Sequence, residues 1–421
     1  MIGVLHRLAL RAPVPVFVLQ GVAEGPAADA ERLRCDRRLR VVDSPRHATV
    51  LLVAGSLPPE LQEPAALVHD ALPHPRATVR WGDATDGWGA ALDLSVTAAL
   101  GDPVEAVIAT HRSLIGGSLP SEPPLQSSST REPWRDVGPY GHGGAGMTGG
   151  VPYGRPLAER ADDLRDGLKL DVLPVTVGPF FPVFPVGLTL DVTLQGDLVQ
   201  DLQVRGNPFV TSRAAPDDVF IRAAVEAVPV AALEQARATH HLRAIARTLR
   251  LLGLDAVAGR VLGLAVAPPD DLVVAAPRLL RLLRRLRVER SLPPDGALPA
   301  TSWPGRSFAA RAAGAPVDAR SDDPAYDGLG FAPVCAVGGG ARARWRQRLA
   351  EVEQALGMVE AAGTRLREPG PVVEDPASVT AELLPMLGDL VIGLEWGDAV
   401  AVVDSLDLDL RRTAPLGEVA T

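Results

Sequence analysis

The pattern of apolar and polar positions over residues 1–115 predicts strands and helices in alternation. Continuous apolar runs are typical of parallel strands that are covered on both faces. The predicted strands are Val14–Leu19, Thr49–Ala54 and Ala77–Trp81, and the predicted helices are Ala27–Arg38 and Pro58–Leu72. Alternation of this kind is typical of a doubly wound α/β domain, with ligands expected at the carboxyl ends of the strands.

Residues 116–165 differ in composition from the regions on either side and predict a linker. They contain Ser127–Ser129, several prolines and the glycine-rich run Gly138–Gly154. Gly144–Gly149 fits the G-x-G-x-x-G pattern of dinucleotide-binding turns. No strand is predicted before it and no helix after it, so the linker interpretation is preferred.

Residues 166–421 predict a second domain that is mainly helical with a β margin. The alternation in Leu188–Leu194, before the turn at Gly196 and Asp197, is typical of a β-hairpin. Helices with apolar residues at three and four spacing are predicted at Asp217–Val228, Ala231–Leu252, Asp270–Val288 and Arg342–Arg367. A final strand pair is predicted near Leu390–Leu408.

Charge and composition exclude several classes of function. The 421 residues carry a formal net charge of −9, so we expect no nucleic-acid partner. Lys169 is the only lysine, which excludes the G-x-x-x-x-G-K-S/T phosphate loop. Cys35 and Cys335 are too few for an iron–sulfur cluster or a zinc ribbon. No signal peptide is recognised and no stretch has the roughly 18 apolar residues of a membrane span, so we expect a soluble chain without a transmembrane segment.

Two stretches of the first domain carry a motif. Ser44–Gly55 reads S-P-R-H-A-T-V-L-L-V-A-G, and Val68–Arg76 reads V-H-D-A-L-P-H-P-R. They resemble the small, 20 kDa-type subunit of respiratory complex I, which carries S-P-R-x-A-D-x-x-x-V-A-G and then V-x-D-x-x-P-x-P-R at matching spacing. The resemblance implies a flavodoxin-like α/β fold for residues 1–115.

Four segments of the second domain follow the motifs of another family. They are Gly178–Gly187, Arg311–Arg320, Trp345–Leu356 and Gly397–Asp407. They resemble the 49 kDa-type subunit of complex I, which is descended from the large subunit of NiFe hydrogenases. The resemblance implies a fold of the NiFe-hydrogenase large-subunit type for residues 166–421, and a chain that is a fusion of the two subunits.

The metal ligands of both families are replaced in this chain. Where the small subunit places cysteines, the chain has the loop Gly21–Gly25 and Ala84. Where hydrogenases place their C-terminal ligands, it has Asp409, Arg412 and Pro415. Iron–sulfur and nickel centres need converging soft ligands, so the resemblance implies that no cofactor or metal is bound.

The loop Gly178–Gly187 corresponds to a complex I loop whose histidine contacts quinone, and Phe181 occupies the position of that histidine. The residues predicted to line a cavity for quinone or another apolar carrier are Phe180, Phe181, Phe184, Arg311 and Asp318. The alternatives are that the phenylalanines pack in a core and that the arginine and aspartate form an internal salt bridge. Asp404, Asp407 and Asp409 are interpreted as a solvated acidic strand end.

Retained scaffold motifs with replaced ligands favour a cofactor-free structural or coupling subunit. The assembly would be membrane-associated, and either similar to complex I, an NADH-quinone oxidoreductase, or related to hydrogenases. Two alternatives stay open: an oxidoreductase subunit that binds quinone or another apolar redox carrier between its domains, and a soluble binding protein for small apolar ligands. The expected partners are other subunits of the assembly, with quinone in the first alternative. The expected location is cytoplasmic, peripheral to the inner membrane through partner subunits.

Overall fold

The structure is a computed structural model. It describes residues 10–23, 25–82, 96–98, 101–146, 149–155, 159–162, 167, 169–209, 219–298, 307–370 and 380–412. The chain divides into two compact units. Unit 1 comprises Met1–Pro179 and Asp191–Asp201, and unit 2 comprises Phe180–Leu190 and Leu202–Thr421.

Unit 1 contains a five-stranded parallel sheet in the order β2-β1-β3-β4-β5, which is the order of flavodoxin-like doubly wound sheets. The strands are β1 (Val14–Gln20), β2 (Leu39–Val41), β3 (Val50–Ala54), β4 (Ala77–Trp81) and β5 (Val96–Ala98). Val50 lies opposite Val16 of β1 and Ala77 of β4. All five residues of β3 are buried, as expected for a central strand with both faces covered. The predicted parallel α/β region is confirmed.

Helical segments of unit 1 lie between and after these strands in the sequence. They are α1 (Pro59–Ala71), α2 (Val104–Gly116) and the short α3 (Ser128–Arg131). The predicted α-helix Ala27–Arg38 is wrong in type, because Gly25–Cys35 forms 3₁₀ turns interrupted at Asp29. Its buried residues Ala27, Ala30 and Leu33 recur every three positions, which suits three residues per turn rather than 3.6.

The glycine-rich part of the predicted linker has defined structure where it is described. Gly143 and Val151 are joined by a backbone hydrogen bond of 3.0 Å, and the rings of Trp134 and Tyr153 lie 5.4 Å apart. Gly154 has a φ of +71°, and a Cβ there would lie 2.6 Å from Trp134 Cδ1. Glycine is therefore required for this packing. Met147 and Thr148, within the predicted G-x-G-x-x-G run, lie outside the described residues.

A second sheet has the strand order β6-β7-β8-β9. Its strands are β6 (Glu159–Asp162), β7 (Lys169–Val177), β8 (Leu190–Gln195) and β9 (Leu198–Val204). β8 and β9 flank the turn at Gly196 and Asp197, which confirms the predicted hairpin. Gly196 takes a φ of +61°, as the turn requires.

Unit 2 is mainly helical. Its helices are α4 (Val219–Arg222), α5 (Val230–Leu251), α6 (Asp255–Ala265), α7 (Pro269–Leu286), α8 (Phe308–Ala312), α9 (Ala341–Ala362), α10 (Thr380–Leu383), α11 (Leu387–Val391) and α12 (Trp396–Ser405). The strands β10 (Val228–Pro229) and β11 (Leu366–Arg367) pair antiparallel. Apolar side chains of α5, α6, α7 and α9 form the largest part of the core, among them Leu242, Leu262, Leu280 and Val352.

Three sequence predictions for unit 2 need correction. The strand pair near Leu390–Leu408 is wrong, because α11 and α12 occupy this region; a short buried apolar run fits either structure. The predicted helix Asp217–Val228 is reduced to α4 within the described residues. Val228 is extended because it precedes a proline, a position that disfavours the α conformation. The predicted helix Arg342–Arg367 ends at Ala362, so its last residues are not helical and two of them form β11.

Within the described part of the chain, no helix is long and apolar enough to cross a membrane.

Candidate functional site

A row of polar side chains lies on the buried face of α9. Arg344, Gln347, Arg348 and Glu351 follow three and four spacing and are each at most 1% exposed. Burying charged groups is costly unless they are paired and hydrogen-bonded. The partners of these side chains therefore define the candidate site, which lies within unit 2.

Glu351 is at the centre of the row. Arg311 of α8 donates to both of its oxygens, from Nε at 2.8 Å and from Nη2 at 3.1 Å. Gln347 Nε2 donates to Oε1 at 2.7 Å, and His241 Nε2 of α5 lies 2.9 Å from Oε2. Burial would raise the pKa of Glu351, but the charge of Arg311 and the hydrogen bond from His241 hold it well below its ordinary value. Glu351 is therefore a buried carboxylate.

His241 is buried and neutral at pH 7. Burial lowers its pKa to about 4, although the hydrogen bond to Glu351 opposes that shift. A neutral ring that donates from Nε2 leaves Nδ1 as an acceptor, and Arg348 Nη1 lies 3.5 Å from Nδ1. His240, the next residue on α5, instead faces Asp407. The two neighbouring histidines therefore contact different carboxylates, His240 that of Asp407 and His241 that of Glu351.

A second group of charges adjoins the first through Arg311. Its Nη1 lies 3.3 Å from Asp318 Oδ2, so Arg311 joins Asp318 to Glu351. Arg320 forms a two-point contact with Asp318, at 3.0 and 2.7 Å, and reaches Glu234 of α5 at 2.9 Å. Burial would raise the pKa of Asp318, but the hydrogen bonds and charge of Arg320 lower it. The internal salt bridge predicted for Arg311 and Asp318 is present.

Asp407, just beyond α12, closes the network at its other end. Arg348 Nη1 donates to Oδ2 at 2.9 Å, and Arg247 and His240 also contact the carboxylate. Burial would raise the pKa of Asp407, but the interaction with His240 and the charges of Arg348 and Arg247 hold it well below its ordinary value. Asp407 adopts a φ of +58°, a left-handed conformation that is uncommon outside glycine.

Asp404, one turn earlier on α12, has a different environment. Thr248 donates to its Oδ2 at 2.6 Å, while Oδ1 has no hydrogen-bond partner among the described residues. Burial raises the pKa of Asp404, and the charge of Arg247 offsets this only in part. The interpretation of Asp404 and Asp407 as a solvated strand end is wrong. They are 4% and 8% exposed, because the end of α12 packs its acidic side toward the arginines of α5 and α9.

Arg344 is the first residue of the row and lies in the first turn of α9. It donates to Ser405 Oγ at 2.8 Å and to the carbonyl oxygens of Gly296 and Gly339. Burial and the neighbouring charge of Arg348 lower its pKa to about 9. Gly339 has a φ of +71°, and a Cβ on Gly340 would lie 1.8 Å from Pro294 O, so the glycines of this turn permit the approach.

The five residues predicted to line a cavity fall into two groups. Arg311 and Asp318 belong to the ion network just described. Phe181 and Phe184 contact each other with ring centroids 4.8 Å apart, and Phe184 also contacts Trp396 at 6.4 Å. Phe184 is buried, whereas Phe180 and Phe181 are half-buried. Their role toward a ligand stays a prediction.

A surface cavity of about 880 Å³ lies elsewhere in unit 2. It is lined by residues from segments 319–327 and 365–370, and none of the five predicted residues lines it. Its wall includes the Arg367–Asp323 ion pair, with Nε 2.6 Å from Oδ2.

Sequence reasoning missed several members of the network, notably Glu234 and Tyr326. Tyr326 donates to Glu234 Oε1 at 2.6 Å. A usable signal was present in the helices. Glu234 and His241 recur at the spacing of the buried residues Ala238, Leu242 and Ile245, so they lie on the apolar face of α5. Charged residues in such positions are usually paired.

No set of three or more histidine, cysteine, aspartate or glutamate side chains in the described regions is placed to hold a metal. The predicted replacement positions Ala84 and Pro415 lie outside those regions, whereas Asp409 is half-buried and pairs with Arg411 at 3.1 Å.

Comparison with protein families identifies part of the second domain. The model of the family described as "Respiratory-chain NADH dehydrogenase, 49 Kd subunit" matches residues 298–390. A comparison with curated proteins finds no match. Among solved structures, a chain of the membrane-bound sulfane sulfur reductase, an archaeal respiratory membrane complex, is similar with a TM-score of 0.41 and 16% identity, covering 57% of this chain and 99% of that one.

The family match confirms the resemblance to the 49 kDa-type subunit for the C-terminal part of the chain. The resemblance of residues 1–115 to the small subunit, and with it the fusion, stays a prediction.

Proposed function

We propose that this chain is a cofactor-free structural or coupling subunit of a membrane-associated respiratory assembly similar to complex I or related to hydrogenases. The proposal is supported by one observation: the family match and the buried network share several residues. The residues matched by the 49 kDa family model, 298–390, contribute Arg311, Asp318, Arg344 and Glu351 to the buried network.

The network supports a scaffold role because its charged side chains are paired with one another. Each carboxylate described above, apart from Asp404, contacts at least one arginine or histidine at hydrogen-bond distance, and the contacts join α5, α8, α9 and the end of α12. Such an arrangement fixes the relative positions of these elements. A subunit whose helices are locked in this way suits a part that presents a fixed surface to neighbouring subunits.

The proposal is tested by isolating the full chain, with an affinity tag, from native membranes in mild detergent. We expect integral membrane subunits to co-purify with it at fixed stoichiometry. A parallel preparation from an untagged strain controls for nonspecific recovery. Recovery of the chain alone would contradict membership of an assembly.

The cofactor-free part of the proposal needs a separate measurement. The chain is expressed and purified alone under anaerobic conditions, and its iron and nickel contents are determined together with its electron paramagnetic resonance spectrum. We expect metal far below one ion per chain and no paramagnetic centre. One iron–sulfur cluster or one nickel per chain would contradict it.

Binding of quinone or another apolar carrier is the second candidate function. The half-buried rings of Phe180 and Phe181 favour it, while the contacts of Phe184 with Phe181 and Trp396 support a packing role for that ring. A quinone analogue that binds the folded chain should raise its unfolding temperature by mass action. The matched variants Phe181→Leu and Phe209→Leu, the second in a fully buried ring, separate loss of binding from loss of packing.

A further inference from the structure

The exposed face of α7 carries a row of arginines. Arg278, Arg281 and Arg285 are all exposed, and Val274, four residues before the first of them, is 75% exposed. The spacing of four, three and four places these side chains on one face of the helix, over about 17 Å at 1.5 Å per residue.

The row continues beyond the end of α7. Arg287 and Arg290 are exposed, and Leu286, the last residue of α7, is 45% exposed. We call Arg278, Arg281, Arg285, Arg287 and Arg290 the arginine stripe. Arg284, the remaining arginine of this region, pairs with Glu353 of α9 at 2.6 Å. Among the ion pairs found in the described part of the chain, none involves a residue of the stripe.

The stripe has no evident role in holding the fold. The opposite face of α7 supplies Leu272, Ala276, Leu280 and Leu283 to the core, which anchors the helix without help from the arginines. Like charges three and four residues apart destabilise a helix. Residues 278–290 hold six arginines and one acidic residue, in a chain whose formal net charge is −9. Such a concentration of positive charge on a chain with a negative net charge indicates a negatively charged partner.

We propose that the arginine stripe docks on the anionic phosphate surface of a membrane. Guanidinium groups match phosphate oxygens and are always charged, and clusters of arginine are attracted to anionic lipid headgroups. The stripe extends along the second half of α7 and beyond its end, so it suits a broad surface. Val274, on the same face as the helical arginines, is an apolar group that can enter the boundary between headgroups and acyl chains. A nucleic-acid backbone would leave it in water. The proposal adds a lipid contact made by this chain itself, and it does not depend on the proposed function.

The test is co-sedimentation of the full chain with vesicles of phosphatidylcholine, with and without phosphatidylglycerol. We expect binding to the anionic vesicles, weakened by added salt, and none to phosphatidylcholine alone. The variant R278E/R281E/R285E should lower the partition coefficient by at least about tenfold. The neutral variant R278Q/R281Q/R285Q should show a smaller loss.

A matched control changes the same amount of charge elsewhere. Arg40, Arg46 and Arg112 are exposed residues of unit 1. The variant R40E/R46E/R112E changes the net charge by the same amount and should keep vesicle binding within about twofold, because it leaves every arginine of the stripe in place. Circular dichroism of all three triple variants verifies that the helices are retained.

Three results would overturn the proposal: no binding of the wild-type chain to anionic vesicles, an equal loss in R278E/R281E/R285E and R40E/R46E/R112E, or stripe-dependent binding to duplex DNA or an acidic protein without vesicle binding. Co-purification of membrane subunits is measured independently, so failure here leaves the proposed function standing.

Discussion

Both units bury a cluster of charged side chains, and the two clusters are built differently. In unit 1, Asp70 accepts from the backbone N–H groups of Leu125 and Gln126, at 2.8 and 3.0 Å. Arg76 donates to four backbone carbonyls, those of His69, Asp70, Leu72 and Glu122. These contacts are mostly between side chains and backbone, so the cluster anchors one segment of chain to the end of α1.

In unit 2, the contacts run mainly from side chain to side chain between elements far apart in sequence. Arg320 reaches Glu234 across 86 residues, and His241 reaches Glu351 across 110. Burial lowers the pKa of Arg76 in unit 1 as well, and in unit 2 it lowers the pKa of His241 to about 4 and that of Arg344 to about 9. The unit 1 cluster therefore mainly supplies partners for backbone N–H and C=O groups, whereas the unit 2 network depends on pairing positive with negative side chains.

Removing one charge from the centre of the unit 2 network should have the largest effect. Glu351→Gln removes the carboxylate that Arg311 contacts at two points and leaves Asp318, at 3.3 Å, as the remaining counter-charge of this buried arginine. Breaking a buried pair in this way costs about 3–5 kcal/mol. We expect that loss in the free energy of unfolding of unit 2, measured in urea.

Glu353→Gln is the matched control, two residues along the same helix. Glu353 is 61% exposed in its pair with Arg284, and surface pairs contribute at most about 1 kcal/mol. In a double-mutant cycle, Arg311→Met with Glu351→Met should cost less than the sum of the single changes. Equal losses for Glu351→Gln and Glu353→Gln would contradict a charge-dependent network.

The pH dependence of stability should carry the signature of His241. Its folded-state pKa, about 4, lies below the ordinary histidine value of 6.5, so the unfolded chain binds this proton more readily than the folded chain. Stability from the neutral ring is present above pH 6.5 and is lost as the pH falls toward 4. The loss amounts to about 3 kcal/mol at 1.36 kcal/mol per unit.

His241→Gln should flatten the stability curve between pH 6.5 and 4. The carboxylates whose pKa values are lowered, Glu351 and Asp407 among them, act below this window, where their protonation removes further stability. His47→Gln, at an exposed histidine, is the control and should leave the slope as in the wild type. An unchanged slope in His241→Gln would rule out this assignment.

Much of the fold follows from local pattern. β3 and β4 are continuous buried runs, and α5, α7 and α9 repeat apolar residues at helical spacing, so local pattern was enough to predict them. β2 has three residues, too few for a pattern. α12 resembles a strand in sequence because its last seven residues, 399–405, are all buried, which removes the amphipathic signal of a helix.

The candidate site was predictable only in part. The motif around Arg311 and Asp318 indicated an ion pair, and the ion pair is present. Their further partners come from other helices, and nothing in the spacing of residues tells which helices pack together. Glu234 and His241 could be placed on a buried face of α5, but their pairing with Arg320 and Glu351 depends on tertiary structure.

In unit 1, Asp70→Asn should have an intermediate effect. The asparagine retains one acceptor but loses the charge that faces Arg76 and Arg131, at 3.3 and 2.6 Å. A hydrogen bond to a charged group contributes about 1.5–3 kcal/mol, and we expect a loss of about 2 kcal/mol. Glu63→Gln, exposed on the same helix, should change stability by less than about 0.5 kcal/mol.

Limited proteolysis gives a second measurement of Asp70→Asn. If the cluster anchors the chain locally, cleavage within residues 121–131 should increase while unit 2 keeps its unfolding transition. Cleavage that rises equally in both units would show that Asp70 supports more than this segment.

The smallest effect on stability is expected for Asp404→Asn. Comparing it with Asp407→Asn distinguishes the roles of two carboxyl groups that lie three residues apart. Burial raises the pKa of Asp404, so the stability it contributes is present at low pH and is lost as the pH rises through its folded-state value. Asparagine keeps the neutral shape and can still accept from Thr248. Asp404→Asn should therefore change the free energy of unfolding at pH 7 by less than about 1 kcal/mol, whereas Asp407→Asn, which removes the counter-charge of Arg348, should cost about 3 kcal/mol. If urea unfolding gave the two variants the same loss, the opposite pKa shifts of the two groups would not describe the network.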